Sequence, residues 1–209
     1  MEIMNLKHGI EILAAILCFI VLLPSSLNLR NLTKVYLLGS ICSFLASKIF
    51  VLVGPSYLAR DVETWGNFIS ISLILSALFV IIRDSKPMFA RFPIYLTLLP
   101  LSGIIFFAII PTNYAIKDLL ELIMQAGAIV VALLIFGVNT YLFKWKWTFL
   151  GSILLFLCAF MIPFINFNDP MNGKLIGGIF LSTGMILLTF SLIKYPTNTE
   201  ISKNIDIHI

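Results

Sequence analysis

The chain is poor in charge. Only 11% of its 209 residues are Asp, Glu, Lys or Arg, against 60% apolar, and a soluble fold needs a polar surface that this composition cannot supply. Histidine is scarcer still. His8 and His208 lie one near each terminus, so the apolar stretches between them offer no imidazole for a haem buried among helices. Cys18, Cys42 and Cys158 all sit inside apolar runs, where a thiol behaves as a small hydrophobe. Neither a disulfide framework nor a metal site is expected from them. No G-x-S-x-G turn occurs and no base converges on a serine, so no catalytic residue and no cofactor are expected. The net charge of +4 is spread over short connections beside apolar runs. Anionic lipid headgroups, rather than nucleic acid, are the partner that distribution fits.

What is present is a set of seven apolar stretches, at 9–24, 34–54, 65–82, 93–111, 118–142, 147–165 and 175–194. Roughly 20 residues of helix cross a hydrocarbon core. The expected fold class is therefore an all-α membrane protein, a seven-transmembrane helix bundle over residues 1–194, followed by a short polar cytoplasmic tail at 195–209. Glu2, Lys7 and Glu11 leave the start without a positive n-region, and Pro24-Ser25-Ser26-Leu27 is a poor cleavage site. The first stretch is expected to be retained.

Orientation follows from the basic residues. Arg30, Lys34, Arg83, Lys86, Arg91, Lys144, Lys146, Lys194 and Lys203 fall on one side, and Lys7, Arg60, Lys117 and Lys174 on the other. The richer side is expected to be cytoplasmic, with the N-terminus outside, the C-terminus inside and the cell membrane as the location. Trp65, Tyr57 and Tyr114 at one set of ends, and Tyr36, Tyr95, Tyr141, Trp145, Trp147 and Tyr195 at the other, suit the two interfaces. The link from Gly54 to Thr64 is the longest on the outer side and is read as a small cap. Pro100 interrupts the fourth stretch and predicts a kink or a freed carbonyl at mid-membrane.

Two segments recur. KHGIEIL (Lys7 to Leu13) matches KDLLELI (Lys117 to Ile123), and LGSICSFL (Leu38 to Leu45) matches LGSILLFL (Leu150 to Leu157), at separations of 110 and 112 residues. Each pair enters the membrane from the same side. That pattern predicts a parallel repeat of stretches 1–3 and 5–7 about an axis along the membrane normal, with the fourth as an inverting linker. Chance matching of apolar segments is the other reading. The three-plus-one-plus-three layout resembles that of sugar-translocating SWEET and other PQ-loop proteins and of microbial rhodopsins. The chain has no Pro-Gln dipeptide, and Lys174 and Lys194 lie at the ends of the seventh stretch rather than its middle, so no site residue carries over from either group.

Depth marks the candidate site. Lys48 lies six residues before Gly54, roughly 9 Å inside the membrane at 1.5 Å per residue, and charges at such depth face a bundle interior with a partner. Glu11 and Glu121 are the carboxylates at comparable depth. Glu11 shares a face with His8, and Glu121 with Gln125. Lys48 is expected to pair with one or both in an outward-open pocket closed by Asn67 and Trp65, suited to a cation, an amino compound or a proton. The alternative is that both glutamates are interface anchors paired with Lys7 and Lys117, and that Lys48 snorkels to the headgroups. Gly39, Ser43 and Ser47, Ser72 with Ser76, Ala128 with Ala132, and Gly178 with Ser182 are small-residue stripes of the kind that let helices approach.

Two functions fit. One is a receptor or sensor-like module, or an accessory membrane subunit, that binds a small ligand from outside and acts through a protein partner. The other is a small transporter or channel for a solute or proton, built on the parallel repeat.

Overall fold

The computed structural model describes residues 2–26, 31–85, 93–109, 114–138, 146–162, 165 and 170–193. Among them there is no strand. Seven α-helices follow one another: α1 (Glu2–Ser26), α2 (Leu32–Val53), α3 (Ser56–Ser85), α4 (Leu99–Ile109, entered through a 3-10 segment at Ile94–Leu98), α5 (Tyr114–Val138), α6 (Lys146–Met161) and α7 (Pro170–Ile193). Five stretches are long and apolar enough to cross a membrane: Leu6–Pro24, Leu32–Val53, Ser56–Asp84, Ala115–Gly137 and Leu175–Ile193. Ile94–Ile109 and Lys146–Met161 are apolar but shorter. The tail at 195–209, Pro111, Tyr141, Trp145 and the basic residues Arg30, Lys86, Arg91, Lys144, Lys194 and Lys203 lie outside the described residues.

Local chemistry sets the ends of α2. The Asn31 side chain accepts a hydrogen bond from the Lys34 backbone N–H at 3.4 Å, satisfying one of the donors that a helix start leaves open. At the other end the Gly54 N–H donates to Phe50 O at 2.7 Å, and Gly54 itself is extended because it precedes Pro55. The turn is so short that α2 and α3 must lie antiparallel, and they make the most extensive contact in the molecule.

Two expectations are corrected here. The segment 54–64 is not a loop cap, because α3 starts at Ser56 and Ser-Tyr-Leu-Ala-Arg-Asp-Val-Glu-Thr contains no helix breaker after Pro55. Pro100 does not kink a helix interior. It sits in the first turn of α4, where a missing N–H costs nothing, and the preceding turn closes as 3-10 with the Leu99 N–H donating to Leu96 O.

Helices α1, α2, α3, α5, α6 and α7 close into a ring, each touching the next and α7 returning to α1, while α4 packs outside, chiefly on α3. Polar residues point inwards. Ser40, Ser47, Ser70, Ser72, Ser76, Ser152, Ser182 and Ser191 are buried, whereas Leu13, Ile20, Val53, Ile105, Phe106, Ile123, Leu134 and Phe190 are exposed on the outer faces. Several of the buried hydroxyls donate to carbonyls of their own helix, as Ser72 does to Phe68 O and Ser76 to Ser72 O. A surface of bare aliphatic and aromatic side chains around an interior that holds the hydroxyls and charges is stable in hydrocarbon and costly in water.

The stripe on α2 faces α3. A methyl group at Gly66 would collide with the Ser47 side chain and lie 3.3 Å from Ser43 O, so only glycine permits this backbone approach. Ser40 and Ser70 hydroxyls meet at 2.7 Å, and a methyl at Gly39 would lie 3.4 Å from the Leu73 side chain. The same contacts recur between α6 and α7. A methyl at Gly151 would lie 3.5 Å from the Leu187 side chain, and one at Gly184 would lie 3.4 Å from Ser152 O. Gly39 and Ser40 thus map onto Gly151 and Ser152 with one offset, and Leu73 and Ser70 map onto Leu187 and Gly184 with another.

Candidate functional site

Lys48 is the hub. Its ammonium lies 2.6 Å from Glu63 Oε1 and 3.1 Å from Glu11 Oε2, and its side chain is only 2% exposed. That burial, on a residue type almost never enclosed without a partner, rules out snorkelling. Phe44, one turn back on α2, sets its ring 5.1 Å from the ammonium. Three helices therefore meet at one charge: α1 through Glu11, α2 through Lys48 and α3 through Glu63.

Glu11 has further partners on its own helix. Lys7 Nζ lies 3.6 Å from Oε1 and His8 Nδ1 3.3 Å from Oε2. With its hydrogen on Nδ1, His8 donates to the carboxylate, and Nε2 is then buried with no hydrogen bond among the described residues. His8 is 2% exposed and lies within the apolar stretch Leu6–Pro24. It corrects the expectation that the stretches contain no imidazole, since α1 becomes helical well before position 9. Gly178 on α7 makes room for this face, because a methyl there would sit 2.8 Å from Lys7 Cγ and 3.1 Å from Glu11 Oε1. With a neutral imidazole, Lys7 and Lys48 balance Glu11 and Glu63, and the cluster carries no net charge.

Glu121 stands apart. The expected pairing with Lys48 is not made: no lysine or arginine reaches ion-pair distance of Glu121 among the described residues. Lys117, four residues back, is 8% exposed and places its ammonium 5.4 Å from the Phe107 ring instead of on the carboxylate. Glu121 lines a partly open cavity of about 90 Å³ within the ring of helices. Asn67, Ser70, Gln125 and Ser152 are its other polar walls, and Phe44, Phe156, Leu78, Met185 and Leu188 are among its apolar ones. Gln125 spends one amide hydrogen on Phe156 O at 3.5 Å. The Asn67 side-chain amide donates a hydrogen bond to Glu121, and its Oδ1 is buried with no hydrogen bond among the described residues.

Trp65 does not close the pocket. It stacks edge-on against Phe107 at 4.7 Å, and Phe68 stacks flat on the same ring at 4.3 Å, so both dock α4 onto α3. Asn67 lies two positions after Trp65, which turns them about 200° apart around the helix. One faces α4 and the other the cavity. The residue that sequence reading missed is Glu63. Its signal was the run Glu63, Asn67, Ser70, spaced four and three apart on one face of a helix.

The site thus has two parts, a closed charge cluster between α1, α2 and α3, and beside it a cavity where, among the described residues, the Glu121 carboxylate has no cation at ion-pair distance and Asn67 Oδ1 has no donor. Among the described residues no group of His, Cys, Asp and Glu is arranged to hold a metal ion. No protein-family profile matches the chain, and neither a curated protein nor a solved structure matches it.

Proposed function

We propose that the chain is a seven-span membrane receptor or sensor-like module, or an accessory subunit, that takes a small ligand into the cavity from the outer face and passes the change to a protein partner. The observation that carries this is the polarity of the cavity. Glu121, Gln125 and Asn67 stand at the end nearest the charge cluster, while the opposite end is lined by Leu78, Ala132 and Leu188 and continues into the buried side chains of Leu22, Ile81, Ile135, Phe149 and Leu192. A carrier or pore needs polar groups along the whole path. A binding pocket needs them at one end only.

The seven-span reading adds Ile94–Ile109 and Lys146–Met161 to the five longer stretches, each extended by the apolar residues that adjoin it. The Lys and Arg distribution orients the charge cluster outwards. A parallel repeat of α1–α3 and α5–α7 is supported by the ring itself, in which the neighbours α1–α2, α2–α3 and α3–α5 become α5–α6, α6–α7 and α7–α1 on exchanging the halves. The recurring glycine and serine contacts point the same way. That repeat is also the support for the second reading, a small transporter or channel.

Cysteine labelling in oriented vesicles separates the two. In a background with Cys18, Cys42 and Cys158 replaced, Ser56→Cys and Asn113→Cys are expected to react with an impermeant thiol reagent from outside, and Ser85→Cys only from inside. Asn67→Cys is expected to react from outside, and Leu78→Cys from neither side. Labelling of Leu78→Cys from inside would establish a through-path and favour the transporter. Labelling of Ser85→Cys from outside would reverse the orientation.

A further inference from the structure

We infer that the cavity beside Glu121 binds a short primary ammonium, which takes there the place that the Lys48 ammonium occupies beside Glu11. This rests on the outward pocket proposed above and names its ligand class.

Gln125 donates to Phe156 O across the α5–α6 contact, and the corresponding positions in the first half are Ala15 and Phe44, both in the buried core between α1 and α2. One turn on from each lie Glu11 and Lys48, which meet at 3.1 Å. One turn on from Gln125 and Phe156 lie Glu121 and Phe160. The position of Lys48 is therefore filled by Phe160 in the second half, and that of Glu63 by Gly177. Glutamate is kept where its internal counter-ion is not.

What replaces the counter-ion must suit the space. A carboxylate inside a bundle is costly without a compensating charge, and the hydrogen bond that the Asn67 side chain donates to Glu121 brings none, while Asn67 Oδ1 is a second acceptor lacking a hydrogen. A primary ammonium offers three donors and a compact charge, enough for both acceptors. The remaining walls are apolar, with Phe44 and Phe156 among them, which suits a short alkyl chain and a cation near aromatic faces. Size limits the chain. At about 90 Å³ the cavity is smaller than the roughly 150 Å³ that admits benzene, so a three- or four-carbon amine is near the upper bound.

The test uses the full chain in nanodiscs of zwitterionic lipid, with n-propylammonium chloride as the probe, 1-propanol as its uncharged counterpart, and sodium chloride to match ionic strength. The wild type is expected to show a saturable rise in melting temperature with propylammonium and none with propanol. Glu121→Gln should weaken that response by about thirtyfold or more, since it removes one member of an enclosed charge pair. Phe160→Lys puts a lysine at the position that the repeat matches to Lys48, within reach of Glu121 on that reading, and it should fold and lose the response. Retention of the response by either variant, or an equal response to propanol, would overturn the proposal. Outside labelling of Asn67→Cys without any propylammonium response would sink the ligand class while leaving the pocket standing. An unreactive Asn67→Cys would remove the pocket itself.

Discussion

Helices α1–α3 and α5–α7 each carry a lysine and, four residues later, a glutamate on their first helix, Lys7 with Glu11 and Lys117 with Glu121. The two halves treat that pair in opposite ways. In the first half Lys7 stays within 3.6 Å of Glu11, and Lys48 and Glu63 complete a closed cluster. In the second half Lys117 turns to the Phe107 ring, and Glu121 faces a cavity. On the proposed repeat, the difference lies in Phe160 and Gly177, uncharged residues at the positions matched to Lys48 and Glu63. A satisfied ion cluster holds helices together and is chemically idle, whereas a carboxylate without a counter-ion beside free volume can report on what enters it.

The largest effect that would break this comparison comes from Lys48. Lys48→Met strands Glu11 and Glu63 without their shared cation, and breaking a buried pair typically costs about 3–5 kcal/mol. Adding Glu11→Gln or Glu63→Gln should restore part of that loss, with non-additivity above roughly 0.5 kcal/mol. Glu121→Gln is the matched change in the other half and should leave the melting temperature unchanged or raised, because nothing there depends on its charge. Detergent melting of the single and double variants decides the matter. Purely additive effects in the first half, or a large loss from Glu121→Gln, would erase the distinction between the halves.

Close approach of α2 and α3 gives the next effect. Gly66 faces the Ser47 side chain with no room for a methyl group, while Gly137 on α5 has nothing within 4 Å of the same added atom. Gly66→Leu must push the two helices apart, and overpacking of this kind costs about 1–3 kcal/mol. Gly137→Leu should be neutral or stabilising, since leucine forms helix better than glycine by up to about 1 kcal/mol. The same melting assay reads both. Equal losses at the two positions would mean that glycine at 66 serves helix flexibility and not approach.

Much of this was legible in the sequence, and the failures have physical causes. Helix positions followed from apolar length, and Lys48 with Glu11 followed from the cost of charge at depth. Glu63 was missed because Arg60, Asp61 and Glu63 together resemble a solvated link, yet they belong to the first turns of a helix that runs on beyond its apolar part. Lys48 reaches the two carboxylates on α1 and α3, which flank α2, and Glu121 belongs to α5, one helix further round the ring. Ring order is set by contacts between distant segments and cannot be read from local spacing. Trp65 was assigned to the pocket mouth by its preference for interfaces, but the position of α4 outside the ring turned that face of α3 into a packing surface.

The smallest effect concerns the ion pair that joins the halves. Arg60 on α3 and Asp118 on α5 lie 3.9 Å apart, and their side chains are 64% and 55% exposed. Such a pair gains little in water and loses side-chain freedom, so Asp118→Asn should cost less than about 1 kcal/mol. At 1 M salt, where the Debye length is about 3 Å, even that difference should vanish, whereas the penalty of Lys48→Met should persist because its charges are enclosed. Melting Asp118→Asn against wild type at low and high salt checks the first claim, and Lys48→Met run alongside supplies the contrast. A salt-sensitive loss comparable with that of Lys48→Met would mean that the halves are tied by surface charge between α3 and α5, and the enclosed cluster would no longer be what sets α1–α3 apart from α5–α7.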